Sequence, residues 1–211
     1  MNKMVYIVFL FALLLSIVQA SVNDFCVADL KLPKSNSGYP CKSPNEVTVD
    51  DFVFSGLVAK DTTNSSFGAA ATAAFVDNFP GLNGLGISAA RLDLAEGGSF
   101  PMHTHPGGTE LIIMLQGEMI AGFITSNNAI YSKTLKPGDL FVIPQGQMHF
   151  VVNSGVGKAT SIIAFSSENP GVQILDHLLF GNTLSSDIVS QTTLLDVEQV
   201  KKLKARFGGS G

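Results

Sequence analysis

The sequence predicts an all-β fold, a sandwich or barrel of short antiparallel strands carrying a small helical tail. From Val47 onward, brief apolar runs alternate with clusters of Gly, Pro, Asn and Asp, the punctuation of strands joined by tight turns. Within Ile87–Leu94 apolar and polar side chains alternate, as a strand with one buried face requires. Of 211 residues, 45% are hydrophobic and only 14% charged, against about 25% charged in an average soluble domain. That balance supports a core and excludes disorder over most of the length. The net charge of −4 argues against nucleic acid or an anionic membrane as partner.

The chain divides into four stretches. Residues 1–20 join Lys3, an apolar run from Met4 to Leu15 and a small residue at the boundary, Val18-Gln19-Ala20. This is the pattern of a secretory signal peptide. Ser16 and Gln19 interrupt the run before it reaches the roughly 18 residues of a membrane span. Residues 21–50 form an arm that holds both cysteines of the chain, Cys26 and Cys41. In an oxidising compartment two cysteines have one intramolecular pairing, so a Cys26–Cys41 disulfide is expected. Closing a loop of about 15 residues is worth roughly 3 kcal/mol in the chain-entropy model.

Residues 51–180 carry the strands. The candidates are Phe52–Val58, Gly86–Leu94, Glu110–Leu115, Met119–Ile124, Ala129–Leu135, Leu140–Ile143, His149–Val152 and Thr160–Ser166. Arg91 and Asp93 share one face of their strand and read as a structural ion pair. Asn64-Ser65-Ser66 is an N-glycosylation acceptor, favoured by its polar surroundings. Residues 181–211 change period. Ser185-Ser186-Asp187 starts a short helix, and Asp196 caps another running to about Phe207. In the latter, Val197, Val200, Leu203 and Phe207 form an apolar stripe, and Lys201, Lys202, Lys204 and Arg206 form a solvated face. The stripe needs cover from the barrel or from a neighbouring subunit.

The chemistry concentrates in three histidines and an acid. In a strand, His103 and His105 point to the same side. Pro106-Gly107-Gly108 then turns the chain, and Glu110 opens the next strand. His149 follows a second turn, Pro144-Gln145-Gly146-Gln147. If the strands around His149 and His103 pair, the four side chains converge on one point. Three imidazoles and a carboxylate suit Mn, Fe, Ni or Zn. A metal preferring six ligands would keep two positions open. His177 lies in an apolar run outside this group and reads as a packed or interface histidine. Met114 and Met148 sit where they could line the barrel.

The spacing is Gly97-x5-His103-x-His105-x4-Glu110-x6-Gly117, then Gly138-x5-Pro144-x-Gly146-x2-His149-x3-Asn153. It resembles, without a gap, the two motifs of the cupin superfamily. Ser21–Leu30, Asn83–Gly86, Pro101–Gly107 and Asn169–Gly171 extend the resemblance, over essentially the whole mature chain, to plant germin-like proteins and to their auxin-binding-protein-like branch. The resemblance implies a cupin β-barrel (jelly roll) with a disulfide-tied N-terminal arm. It also implies C-terminal helices clasping subunits into trimers or hexamers, Mn on His103, His105, Glu110 and His149, and residence in the apoplast.

Two activities belong to that family, superoxide dismutation and oxalate oxidation. Oxalate needs neutral or cationic groups beside the metal, and Asn83 is the one candidate cavity amide, so dismutation is the favoured expectation. The rival expectation is binding without turnover, of auxin or another small carboxylate at the same open positions. A storage or structural cupin with a vestigial site is a third reading, opposed by the intact ligand set. An adhesive Arg-Gly-Asp-like tripeptide is not expected, because the run reads Lys136-Pro137-Gly138-Asp139.

Overall fold

The computed structural model describes residues 23–61 and 65–211. The expected leader at 1–20 and the acceptor Asn64 lie outside the described residues. The strands are β1 (Ala69–Ala74), β2 (Ser88–Leu94), β3 (Ser99–Thr104), β4 (Glu110–Gln116) and β5 (Met119–Ile124). They continue with β6 (Ile130–Leu135), β7 (Leu140–Ile143), β8 (Met148–Asn153), β9 (Ala159–Phe165) and β10 (Gln173–Ile174). They form two five-stranded antiparallel sheets, ordered β1-β2-β9-β4-β7 and β10-β3-β8-β5-β6. This is the cupin arrangement, two sheets facing across one core.

Period-two alternation fills that core. Ala90, Leu92 and Leu94 on β2 meet Ile112 and Met114 on β4, Met119 and Ala121 on β5, Val151 on β8 and Ile163 and Phe165 on β9. Met114 is buried here, whereas Met148 is only half-buried. The β4–β5 turn requires Gly117. Its φ is +74°, and a Cβ there would lie 2.8 Å from the Ala159 backbone.

Three strands, β1, β3 and the two-residue β10, escape the sequence pattern, and one predicted strand does not form. β1 is alanine-rich, with Thr72 its one β-branched residue, and its burial shows no clear alternation. β3 contains Pro101, a strand breaker in sequence terms; it is tolerated because it falls where the β3–β8 register shifts, between Phe100 and His103. The expected strand Phe52–Val58 is instead a 3-10 turn, Val49–Phe52, followed by irregular chain. Ring contacts anchor it rather than a ladder, Phe25 with Phe52 at 5.4 Å and Phe54 with Phe79 at 5.7 Å.

The arm is stapled by Cys26–Cys41. Val27 and Ala28 are buried beneath the turn Pro80–Leu82, and the Ala28 amide donates to Pro80 O at 3.0 Å. The expected Arg91–Asp93 pair is present at 2.9 and 3.0 Å. Asp93 is 1% exposed. It also accepts from Thr160 Oγ1 at 2.8 Å, the Lys60 amide at 3.2 Å and Lys158 Nζ at 3.2 Å. Burial acts to raise this carboxyl, but Arg91, Thr160, Lys60 and Lys158 together hold it down at about 2.

Helix α1 (Leu175–Phe180) follows β10, and the tail adds α2 (Ser186–Thr193) and α3 (Val197–Phe207). Phe180, Val189 and Val200 form its own small core, joined by Leu203 and Phe207. Ser185 caps α2 through the Asp187 amide. Asp196 occupies the cap position of α3 but makes no side-chain cap bond, correcting the sequence expectation. Lys204 is a second correction. It is 3% exposed, and its Nζ donates to Asn182 O at 3.1 Å and Ser210 O at 2.9 Å. Lys201, Lys202 and Arg206 do stay in water. Replacing Lys204 with Met would take the Nζ donor from Ser210 O and leave Asn182 O with the Ser210 amide alone. A loss of about 1–3 kcal/mol is therefore expected in urea unfolding, where a solvated lysine would cost almost nothing. His177 is exposed rather than enclosed in the core, and its ring lies edge-on against Phe207 at 5.5 Å.

Candidate metal centre

The barrel brings together all four residues singled out by spacing. His103 lies on β3 directly opposite His149 on β8, Glu110 opens β4, and His105 follows β3 by one residue. One ligand atom from each falls within 4.8 Å of every other, and all four side chains are buried. Ring centroids of His103 and His149 are 3.9 Å apart. Donors about 2.0–2.2 Å from a shared ion lie up to about 4.4 Å apart, so small side-chain rotations would complete a coordination shell.

Hydrogen bonds fix which nitrogen each ring presents. His103 Nδ1 donates to Pro101 O and His149 Nδ1 to Gln147 O, both at 2.8 Å, and His105 Nδ1 donates to Gly171 O. A carbonyl can only accept, so each Nδ1 carries the proton and each Nε2 presents a lone pair. Yet Nε2 of His105 and of His149 each sit 3.1 Å from Glu110 Oε2. Lone pair would face lone pair unless a proton or a cation lies between them. A divalent cation satisfies all the acceptors at once, and the donor set fits Mn, Fe, Ni or Zn.

The electrostatics favour bare ligands. Burial, and next the His149 ring, push the His103 imidazole down to about 3. Burial acts to raise the Glu110 carboxyl, and it is a proton or cation shared between its Oε2 and the Nε2 atoms of His105 and His149 that holds the group down at about 2. At neutral pH the site therefore offers a carboxylate and unprotonated nitrogen.

Beside the cluster lies a cavity of about 150 Å³, walled by side chains such as Ala73, Ala90, Phe100, Val151 and Phe165. Phe100 packs on His103 at 4.6 Å and Phe165 on His105 at 4.8 Å. Arg91 is the one cationic lining residue, and Asp93 engages its guanidinium. Asn83 does not line this cavity. Its amide accepts from the Tyr39 N–H at 3.3 Å and donates to Tyr39 O at 3.0 Å, with Cys26 Sγ 3.2 Å away. It is a structural tie for the arm, which corrects its assignment as a cavity residue. Sequence reasoning did not find the orienting carbonyls of Pro101, Gln147 and Gly171, since backbone acceptors leave no side-chain signature. Only the turn residues Asn169-Pro170-Gly171 hinted at the last.

A family model described as Cupin matches residues 55–201. Over 204 residues the chain is 55% identical to auxin-binding protein ABP19b of Prunus persica, covering 97% of this chain and 98% of that protein. It is 52% identical to germin-like protein subfamily 3 member 1 of Arabidopsis thaliana, with the same coverage. The chain belongs to the germin-like cupins. A solved oxalate oxidase is 36% identical to this germin-like cupin with a TM-score of 0.84, covering 89% of this chain and 96% of that one. Among the described residues of this family member, no helix is long and apolar enough to cross a membrane.

Proposed function

We propose that this germin-like cupin binds manganese through His103, His105, Glu110 and His149 and dismutates superoxide in the plant apoplast. The observation that carries the reading is the convergence of bare Nε2 lone pairs on a buried carboxylate oxygen at 3.1 Å. Bound manganese would supply the one-electron chemistry that no side chain here offers, oxidising one superoxide to dioxygen and reducing a second, with two protons, to hydrogen peroxide. Iron would serve equally; zinc would not, having no redox chemistry.

The chain's own residues do the rest. Three carbonyl acceptors hold the imidazoles in one tautomer and orientation. Glu110 offsets cationic charge in a buried setting. Four protein donors leave two positions of a six-coordinate shell for small oxygen species. The apolar walls favour compact molecules and exclude bulky reductants. Among the described residues, no carboxyl or imidazole outside the cluster lines the cavity, so both protons come from solvent.

Oxalate oxidation is the weaker reading, because the second carboxylate finds no free amide or cation: Asn83 is tied to the arm and Arg91 to Asp93. Binding of a small carboxylate with an apolar body, such as auxin, is the second reading. It draws on the apolar cavity and on relatives named auxin-binding proteins. The same proposal includes export after residue 20, a glycan at Asn64, a role in defence, and division into an arm (21–50), a barrel (51–180) and an oligomerising tail (181–211). Exposed apolar side chains on β7 and the tail (Leu140, Val142, Leu184, Ile188 and Leu194) support a trimer or hexamer.

Metal analysis and assay of the secreted protein test the central claim. About one manganese or iron per chain is expected, with superoxide consumption abolished by chelation and restored by the metal, and little oxalate turnover. Stoichiometric metal without superoxide loss above the chelated control would overturn dismutation. If calorimetry then gave saturable, metal-dependent auxin binding in wild type but not in His103→Ala, the binding reading would replace it.

A further inference from the structure

The three imidazoles are not oriented alike. His103 and His149 each bond a carbonyl two residues earlier in their own chain segment. The carbonyl that orients His105 belongs to Gly171, 66 residues away. The rotation of this one ligand therefore depends on where the connection between β9 and β10 is held. Several bonds hold it against the His105–Glu110 turn. Gly107 N donates to Pro170 O at 2.9 Å, and Ser166 N donates to Thr109 O at 3.0 Å. A Cβ on Gly107 would lie 3.0 Å from Pro170 O, so the approach is close.

The outer side of the same connection is held by Asp77. Its Oδ2 accepts from Asn169 Nδ2 at 2.9 Å, and its Oδ1 accepts from Tyr39 Oη at 2.7 Å. Lys34 Nζ lies 3.3 Å from that Oδ1. Tyr39 sits inside the disulfide loop, and Asn83 ties both its backbone N–H and its carbonyl. One exposed carboxylate thus spans the stapled arm and the connection, and two residues beyond Asn169 is the carbonyl that sets His105.

We infer that Asp77 is a positioning residue for His105, coupling the disulfide-tied arm through Asn169 to the Gly171 carbonyl that orients this ligand. The inference rests on the reading that the cluster holds a metal. Asp77 touches neither metal nor substrate. Partners that orient metal ligands typically change affinity by about 10–100-fold, and a residue one step further out belongs near the lower end.

The test uses the full secreted protein and Mn²⁺, with affinity read by competition against a chelator. Asp77→Ala is expected to weaken binding about tenfold and to speed exchange of the Gly107 amide in metal-free protein. Asp77→Asn should recover most of the affinity, because the Asn169 amide can turn its oxygen toward the new donor. Asp51→Ala is the control. Asp51 pairs with Lys42 at 2.5 Å and accepts from the Thr48 amide, with no bond to the connection. It should loosen the arm while leaving Mn²⁺ affinity and Gly107 exchange unchanged. If Asp77→Ala does not fold, Tyr39→Phe removes only the hydroxyl and should show a smaller change in the same direction. Wild-type affinity and wild-type Gly107 exchange in the Asp77 and Tyr39 variants would overturn the inference. If wild type bound no metal while Gly107 exchange still responded to Asp77→Ala, the coupling of Asp77 to the connection that carries Gly171 would stand and the metal reading would fall.

Discussion

Glu110→Gln is expected to remove metal binding and, in the same protein, to raise the melting temperature of the metal-free form. Both effects follow from the tautomers fixed by Pro101, Gly171 and Gln147. With metal bound, the carboxylate is the only anionic donor among the four, and losing it should cost more than the roughly hundredfold upper limit for orienting partners. Without metal, the buried carboxylate faces two imidazole lone pairs at 3.1 Å and needs an added proton to be tolerated. A glutamine amide would donate to one of those nitrogens with no charge to bury. Metal at a thousand times its Kd adds about 4 kcal/mol to wild type, on the order of 10 °C for a domain of this size. The variant should show no such rise. Calorimetry of both proteins with and without Mn²⁺ measures each effect, and an apo Glu110→Gln melting well below apo wild type would contradict the assigned tautomers.

Asp93→Asn should be the most damaging substitution away from the site. The carboxylate gathers Arg91, Lys158, Thr160 and the Lys60 amide at one buried point. An asparagine would turn an N–H₂ toward donors and leave two cations without a counter-charge. Breaking a buried pair costs about 3–5 kcal/mol. The side chains of Arg91 and Lys158 keep 20% and 36% exposure and can regain water, so about 3 kcal/mol is expected. Exchange of the Lys60 amide should accelerate, since Asp93 holds it.

Wild type should also show an acid dependence that the variant loses. The carboxyl is held at about 2 when folded against 3.8 for a free aspartate, so its stabilisation is complete above about pH 4 and is lost as pH falls toward 2. The difference between wild type and Asp93→Asn isolates this group, worth about 2 kcal/mol at neutral pH. Parallel urea-unfolding curves from pH 5 to pH 2 would refute it.

Much of this was legible before any coordinates. β2 was identifiable because one buried face writes itself into every second residue, and β4 because Leu111–Leu115 is a short apolar run bounded by turns. The four residues of the candidate cluster were legible because a metal site calls for rare side chains at fixed offsets. β1 was not, since alanines carry no strand signal, and β3 hid behind Pro101. Asn83 misled for a related reason. An amide beside a family-like motif names a chemistry but not a direction, and this one points to Tyr39. Lys204 was assigned to water from its helical neighbours, but two carbonyls of the folded tail draw it inward.

Local order alone determined the family, the disulfide partners, the four residues of the candidate cluster and the ion pair of Arg91 with Asp93. Each depends on residue type and short spacing, which the linear chain records. Folding decided which nitrogen of each histidine faces the ligand cluster, how apolar the neighbouring cavity is, and which distant carbonyl steers His105. These depend on backbone atoms that every residue shares, and on strands that meet only when two sheets close on one another, so nothing in side-chain identity could announce them.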